Sequence, residues 1–67
     1  MTSVEQLHSL YLDVGGATPH DISAPRREEA IEIRQALRTA IAAAEGKPTM
    51  PQPPETEVIE RARRYLA

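Results

Sequence analysis

Three arginines at helical spacing are the residues of this chain whose type and position most suggest a binding site. On a helical wheel that starts at Ala30, Arg27, Arg34 and Arg38 lie within about 40–80° of that residue and form one basic stripe. Planar guanidinium groups match the geometry of carboxylates and phosphates. The stripe is therefore a candidate site for an acidic protein surface or for nucleic acid. A solvated helix flank is the alternative interpretation.

A second group of arginines, Arg61, Arg63 and Arg64, lies near the end of the chain. On a helix these side chains spread over about 160° and do not form one patch. Glu57 and Glu60 precede Arg61 and Arg64 by four residues, the spacing of attractive helical pairs. No interleaved aromatic residues are present for stacking on bases. Nucleic-acid binding by this segment is not expected.

Catalytic and metal chemistry find little support in the sequence. His8 and His20 are the only imidazoles, cysteine is absent, and zinc requires three or four ligands. No serine or threonine is placed beside a base and its orienting group, as nucleophilic catalysis requires. We therefore predict no catalytic, cofactor or metal residues; an enzymatic role is expected at most as an accessory subunit.

Apolar side chains provide the remaining candidate contacts with a partner. Ile31 lies off the apolar stripe of its predicted helix, which is typical either of a partner contact or of an ordinary exposed residue. The predicted C-terminal helix carries further candidates, of which Tyr65 is foremost because aromatic anchors are enriched among interface hot spots. These candidates are Val58, Ile59, Tyr65 and Leu66.

The composition limits both the core and the choice of partners. The 67 residues include no Phe, Trp or Cys, so a small core must form without large apolar rings or disulfides. Domains of this size often depend on association, and we expect a larger protein or a second copy as partner. The net charge of −2 makes nucleic acid an improbable partner. No apolar run reaches the ~20 residues of a membrane span, and a cytoplasmic location is expected.

The elements that position these residues are three predicted helices, at about 4–14, 25–45 and 55–66. Gly15 and Gly16 are expected to end the first by offering a left-handed position, and Gly46 closes the second. Residues 47–54 contain four of the six prolines and are expected to form a stiff, extended linker. The predicted stripe of the second helix comprises Ala30, Ile33, Leu37, Ala40, Ile41 and Ala44.

The predicted fold is therefore an all-α, three-helix protein consisting of one domain, residues 1–67. We expect the third helix either to fold back on the first two or to dock on a partner, with docking slightly favoured because the linker is stiff. The leading functional hypothesis is a non-catalytic helical module that regulates or assembles a larger protein or itself. The alternative is a small, dimeric, DNA-associated regulator, antitoxin-like or phage-type, that uses the arginine stripe.

Overall fold

The computed structural model describes residues 3–51 and 53–67. Helix α1 spans Ser3–Gly16, α2 spans Ala24–Ala44 and α3 spans Glu55–Leu66; the described residues form no strand. The predicted all-α, three-helix fold is confirmed. Its division into one domain stays a prediction, and residues 1, 2 and 52 lie outside the described part. The described residues of the predicted linker, 47–51 and 53–54, are in neither helix nor strand.

Both ends of α2 follow from the local sequence. Ser23 precedes the helix in extended conformation, without a capping hydrogen bond from its side chain, and a proline lies in the first turn, where a missing N–H donor costs little. At the other end Gly46 adopts a φ of 81°. Its N–H donates to the Ala43 carbonyl, and the Lys47 N–H donates to the Ala42 carbonyl. This pair of bonds is a Schellman motif, which satisfies carbonyls that the helix leaves unpaired.

The end of α1 differs from the prediction. Gly15 and Gly16 both lie inside the helix, and Gly46 is the one residue with positive φ among those that the structure describes. The Ala17 N–H still donates to the Asp13 carbonyl (2.9 Å), in the manner of a continuing helix. The helix ends before Thr18 because Thr18 precedes Pro19, and a residue before proline is driven out of the helical conformation. The predicted left-handed stop at the glycine pair was therefore wrong.

The core lies where the three helices meet. Within the described chain every buried side chain belongs to one cluster, and no charged side chain is buried. Its members are Leu7, Leu10, Val14, Ala30, Ile33, Leu37, Ala40, Ile41, Val58, Ala62 and Tyr65. Five of the six residues predicted for the stripe of α2 belong to the cluster, whereas Ala44 is exposed in the last turn.

Helix α3 packs on both α1 and α2 of its own chain. This corrects the preference for α3 docking on another protein, since Val58 and Tyr65 are almost completely buried. The physical reason is the amphipathic character of α3, whose apolar side supplies the bulk that the α1–α2 pair lacks. The linker, which was expected to be stiff, did not keep the helix apart from that pair.

Candidate interaction surface

Tyr65 holds α3 in place through its ring, its hydroxyl and its carbonyl. The side chain is 2% exposed, and its hydroxyl lies 2.9 Å from Thr18 Oγ1. Because the Thr18 hydroxyl donates to the Val14 carbonyl (2.7 Å), Tyr65 is the donor in this pair. The Arg26 guanidinium lies 4.2 Å from the ring centroid and donates to the Tyr65 carbonyl oxygen (2.8 Å). Tyr65 thus joins α3 to the α1–α2 loop and to α2, and it is a structural residue.

A second arginine–tyrosine pair lies between α1 and α2. Arg34 donates to the Tyr11 hydroxyl (3.1 Å), and its guanidinium carbon lies 4.8 Å from the centre of the Tyr11 ring. The Arg34 side chain also lies beside Gly15, where a Cβ would be 3.8 Å from the guanidinium, in ordinary van der Waals contact. The Arg34 Nε is buried without a hydrogen-bond partner. Arg34 is therefore held in one orientation by α1.

An open groove of about 510 Å³ begins beside this pair. Helix α1 contributes an imidazole and a phenol, α2 a guanidinium and apolar side chains, and the turn after α2 a carboxylate and an ammonium group. The lining residues are His8, Tyr11, Arg38, Ile41, Ala42, Glu45 and Lys47. Lys47 Nζ lies 4.0 Å from a Glu45 carboxylate oxygen, so these two charges partly offset each other. Arg38 is exposed and makes no hydrogen bond or ion pair with the described residues.

Arg38 also borders a second open groove, of about 470 Å³, on its other side. This groove lies between α2 and the start of the linker. Gln35, Thr39 and Ala42 line it from α2, and the linker adds Pro48, Thr49 and Met50. The Arg38 guanidinium therefore stands between two depressions of the surface.

Two exposed apolar side chains extend this region along the helices. Leu12 lies four residues after His8 on α1 and is 70% exposed. Ile31 lies seven residues before Arg38 on α2 and is 46% exposed. Residues four or seven apart share a helix face, so both side chains continue the surface that contains the first groove. We call this surface the arginine face and define it by His8, Tyr11, Leu12, Arg27, Ile31, Arg34 and Arg38.

The three arginines of the predicted stripe differ in their exposure and in their hydrogen bonds. Arg27 is exposed and donates to the His20 carbonyl oxygen (2.8 Å), whereas Arg34 is half-buried against Tyr11. Arg38 alone presents its guanidinium without a partner among the described residues. The stripe therefore consists of two arginines that donate hydrogen bonds within the chain and one, Arg38, that makes none with the described residues.

The apolar residues predicted to contact a partner separate into two groups. Ile31 is exposed on the arginine face, whereas the four residues of α3 contribute to the internal core: Val58 and Tyr65 are buried, and Ile59 and Leu66 are partly buried against the cluster. While α3 is folded as described, Val58 and Tyr65 offer almost no surface to another chain.

Sequence reasoning missed the contribution of α1 to the arginine face. His8 and Tyr11 lie three residues apart, so they share a side of that helix. That spacing was a usable signal for their proximity to each other. Their meeting with Arg34 and Arg38 depends on how α1 packs against α2, which local spacing does not give.

A metal site and a membrane-crossing helix are both absent from the part of the chain that the structure describes. Among residues 3–51 and 53–67, no three His, Asp or Glu side chains are grouped as metal ligation requires. Neither α1, α2 nor α3 combines the length and apolar character of a membrane-crossing helix.

No protein-family model matches the chain, and neither the curated proteins nor the solved structures contain a significant match.

Proposed function

We propose that this chain is a non-catalytic helical module that binds another protein through the arginine face and so regulates or assembles that protein. The observation that supports this most is the composition of the face, where Leu12 and Ile31 are exposed beside a row of arginines. Arg34 is held there by Tyr11, and Arg38 is free of bonds with the described residues. Apolar side chains among fixed polar groups are typical of protein-binding surfaces, in which arginine and tyrosine are enriched. The proposed location is the cytoplasm.

The alternative of a dimeric DNA-associated regulator uses the same stripe. Arg27 and Arg34 already donate to acceptors within the chain, and the net charge is −2. Binding to a phosphate backbone gains most of its affinity from several free cations acting together. The arrangement therefore favours a protein partner over DNA.

The test compares matched glutamate substitutions at three exposed positions. Ile31→Glu and Leu12→Glu place a charge on the arginine face. Thr56→Glu places the same side chain at an exposed position of α3, a helix that contributes no residue to that face. Each variant and the parent chain are used as bait in extract of the source cells. We expect a specific partner to be retained by the parent chain and by Thr56→Glu and to be lost from the two variants of the face.

Two further measurements make this result decisive. Circular dichroism must show unchanged helicity, because a loss of partner through unfolding carries no information about the surface. Size-exclusion chromatography with light scattering shows whether the partner is a second copy of the chain. A partner that all four proteins retain equally would refute the proposed surface, and tight binding of a DNA duplex would favour the alternative.

A further inference from the structure

The groove beside Arg38 has the chemistry of a site for a carboxylate. Arg38 provides a fork of N–H donors, and His8, Tyr11 and Lys47 bring further polar groups from α1 and from the turn after α2. Ile41 and Ala42 add apolar surface to the same groove. Charged and apolar groups thus meet in one depression, as in sites that receive a single anchored side chain.

The charges of the groove favour one carboxylate over a row of phosphates. Glu45 lies within the groove and offsets the positive charge of Lys47. A Glu45 carboxylate oxygen is 4.0 Å from Lys47 Nζ. Arg38 is then the one uncompensated permanent cation of the lining, and Arg34 lies beside it, bonded to Tyr11. A polyphosphate strand would carry several negative charges past Glu45, whereas a carboxylate needs only one bidentate contact with a guanidinium.

The exposed apolar residues near Arg38 indicate what kind of segment carries that carboxylate. Ile31 lies two helical turns before Arg38, and Leu12 lies one turn after His8; both are exposed. A segment seated on Arg38 therefore extends over apolar side chains on both helices. An amphipathic helix that carries acidic and leucine-like residues fits this combination of charge and surface.

We propose that the partner presents an acidic amphipathic segment whose carboxylate binds Arg38 in this groove, between α1 and α2. This inference rests on the proposed function and specifies the chemistry of its partner. Arg38 anchors the segment through charge-assisted hydrogen bonds, and Ile31 and Leu12 bury its apolar side chains. Arg34, fixed on Tyr11, adds positive potential without changing its position.

The test uses two short helical peptides as probes, with leucines at identical helical positions. The remaining positions are glutamate in one peptide and lysine in the other; a short DNA duplex serves as the phosphate probe. Binding is measured by fluorescence anisotropy, and amide chemical shifts locate the site. We expect the glutamate peptide to bind and to shift the amides of His8, Arg38 and Ala42, and the lysine peptide to bind at least about tenfold more weakly.

Arg38→Gln and Arg63→Gln form a matched pair of variants. Both remove one positive charge from an exposed position, the first in the groove and the second on α3. We expect Arg38→Gln to weaken binding of the glutamate peptide about tenfold, the usual scale for a charge-assisted bond, and Arg63→Gln to weaken it less than twofold, roughly the effect of a distant screened charge. No binding of the glutamate peptide, equal weakening by both variants, or tighter binding of the DNA duplex would each overturn the inference.

The bait experiment separates this inference from the proposed function. If Ile31→Glu loses the partner while Arg38→Gln retains it fully, the arginine face binds a protein but the carboxylate site is wrong. If neither substitution weakens binding of the partner, both proposals are refuted.

Discussion

The hydroxyl of Tyr65 begins a short relay of hydrogen bonds that passes through Thr18 to the carbonyl of Val14. Because the Tyr65 side chain is buried, water does not readily replace a lost partner at this position. We expect Tyr65→Phe, which keeps the ring, to lower the free energy of unfolding by about 1 kcal/mol in chemical denaturation. Tyr11→Phe is the control, since Tyr11 is only half-buried, and its effect should be smaller. Equal effects would show that the relay through Thr18 contributes no more than the hydrogen bond of Tyr11 with Arg34.

Arg26 and Arg61 both connect α2 with α3, but in different ways. Arg26 covers the Tyr65 ring and donates to the Tyr65 carbonyl, whereas Arg61 lies 3.7 Å from Glu32 in an exposed ion pair. Exposed ion pairs contribute little, while stacking and a hydrogen bond act together at Tyr65. We expect Arg26→Gln to lower the free energy of unfolding by about 1 kcal/mol and Arg61→Gln by less than about 0.5 kcal/mol. Thermal unfolding of the two variants in parallel checks the order, and the reverse order would contradict it.

Contacts made by single residues were the least predictable part of the molecule. The expected pair of Glu57 with Arg61 followed from their spacing, yet Arg61 pairs with Glu32 of the neighbouring helix. Thr18 and Arg26 meet Tyr65 across 47 and 39 residues of sequence. Local periodicity contains no information about such distant pairs, which exist only because α3 folds back.

At the scale of the elements, two glycines near helix ends should respond oppositely to the same substitution. Gly46 has a φ of 81°, which is unfavourable for any residue with a Cβ, whereas Gly16 lies in α1 with open space around its Cβ position. We expect Gly46→Ala to destabilise the chain by about 1 kcal/mol and Gly16→Ala to stabilise it by about 0.5–1 kcal/mol. Thermal denaturation followed by circular dichroism measures both. A stabilising Gly46→Ala would be incompatible with the Schellman motif.

The elements themselves were largely readable from the sequence. The stripe of Ala30, Ile33 and Leu37 predicted the buried side of α2, and the bounds of α3 agree with those expected. The end of α1 was misplaced because two glycines were given more weight than Pro19. Glycine permits a left-handed turn without requiring one, whereas proline restricts the residue before it.

At the scale of the whole molecule, α3 completes the core. A chain that ends after Gly46 lacks Val58, Ala62 and Tyr65, all of them buried. We expect this truncated chain to lose much of the helicity of α1 and α2 and to melt at lower temperature without a sharp transition. A peptide of residues 55–67 should be mostly unfolded, because isolated helices shorter than about 12–15 residues are marginal in water. Circular dichroism of both pieces provides the measurement. If the truncated chain melted like the full one, α3 would be an independent arm.

The arginine face was predictable only in part. The alignment of Arg27, Arg34 and Arg38 followed from helical spacing, as did the position of Ile31 beside Arg38. The sequence did not show that Tyr11 would hold Arg34 or that His20 would engage Arg27, because both contacts depend on the packing of α1 and its loop against α2. The candidate anchors of α3 were placed on a partner because the linker was expected to be stiff, which slightly favoured docking over folding back.

The two tyrosines provide intrinsic fluorescence that can report on the structure of the molecule. The chain contains no tryptophan, so ultraviolet emission from tyrosine is not masked. Tyr65 is enclosed beneath Arg26, and Tyr11 lies at the groove beside Arg34. With one tyrosine at a time replaced by phenylalanine, the remaining phenol would report separately on detachment of the last helix or on arrival of a ligand, and no dye would be needed.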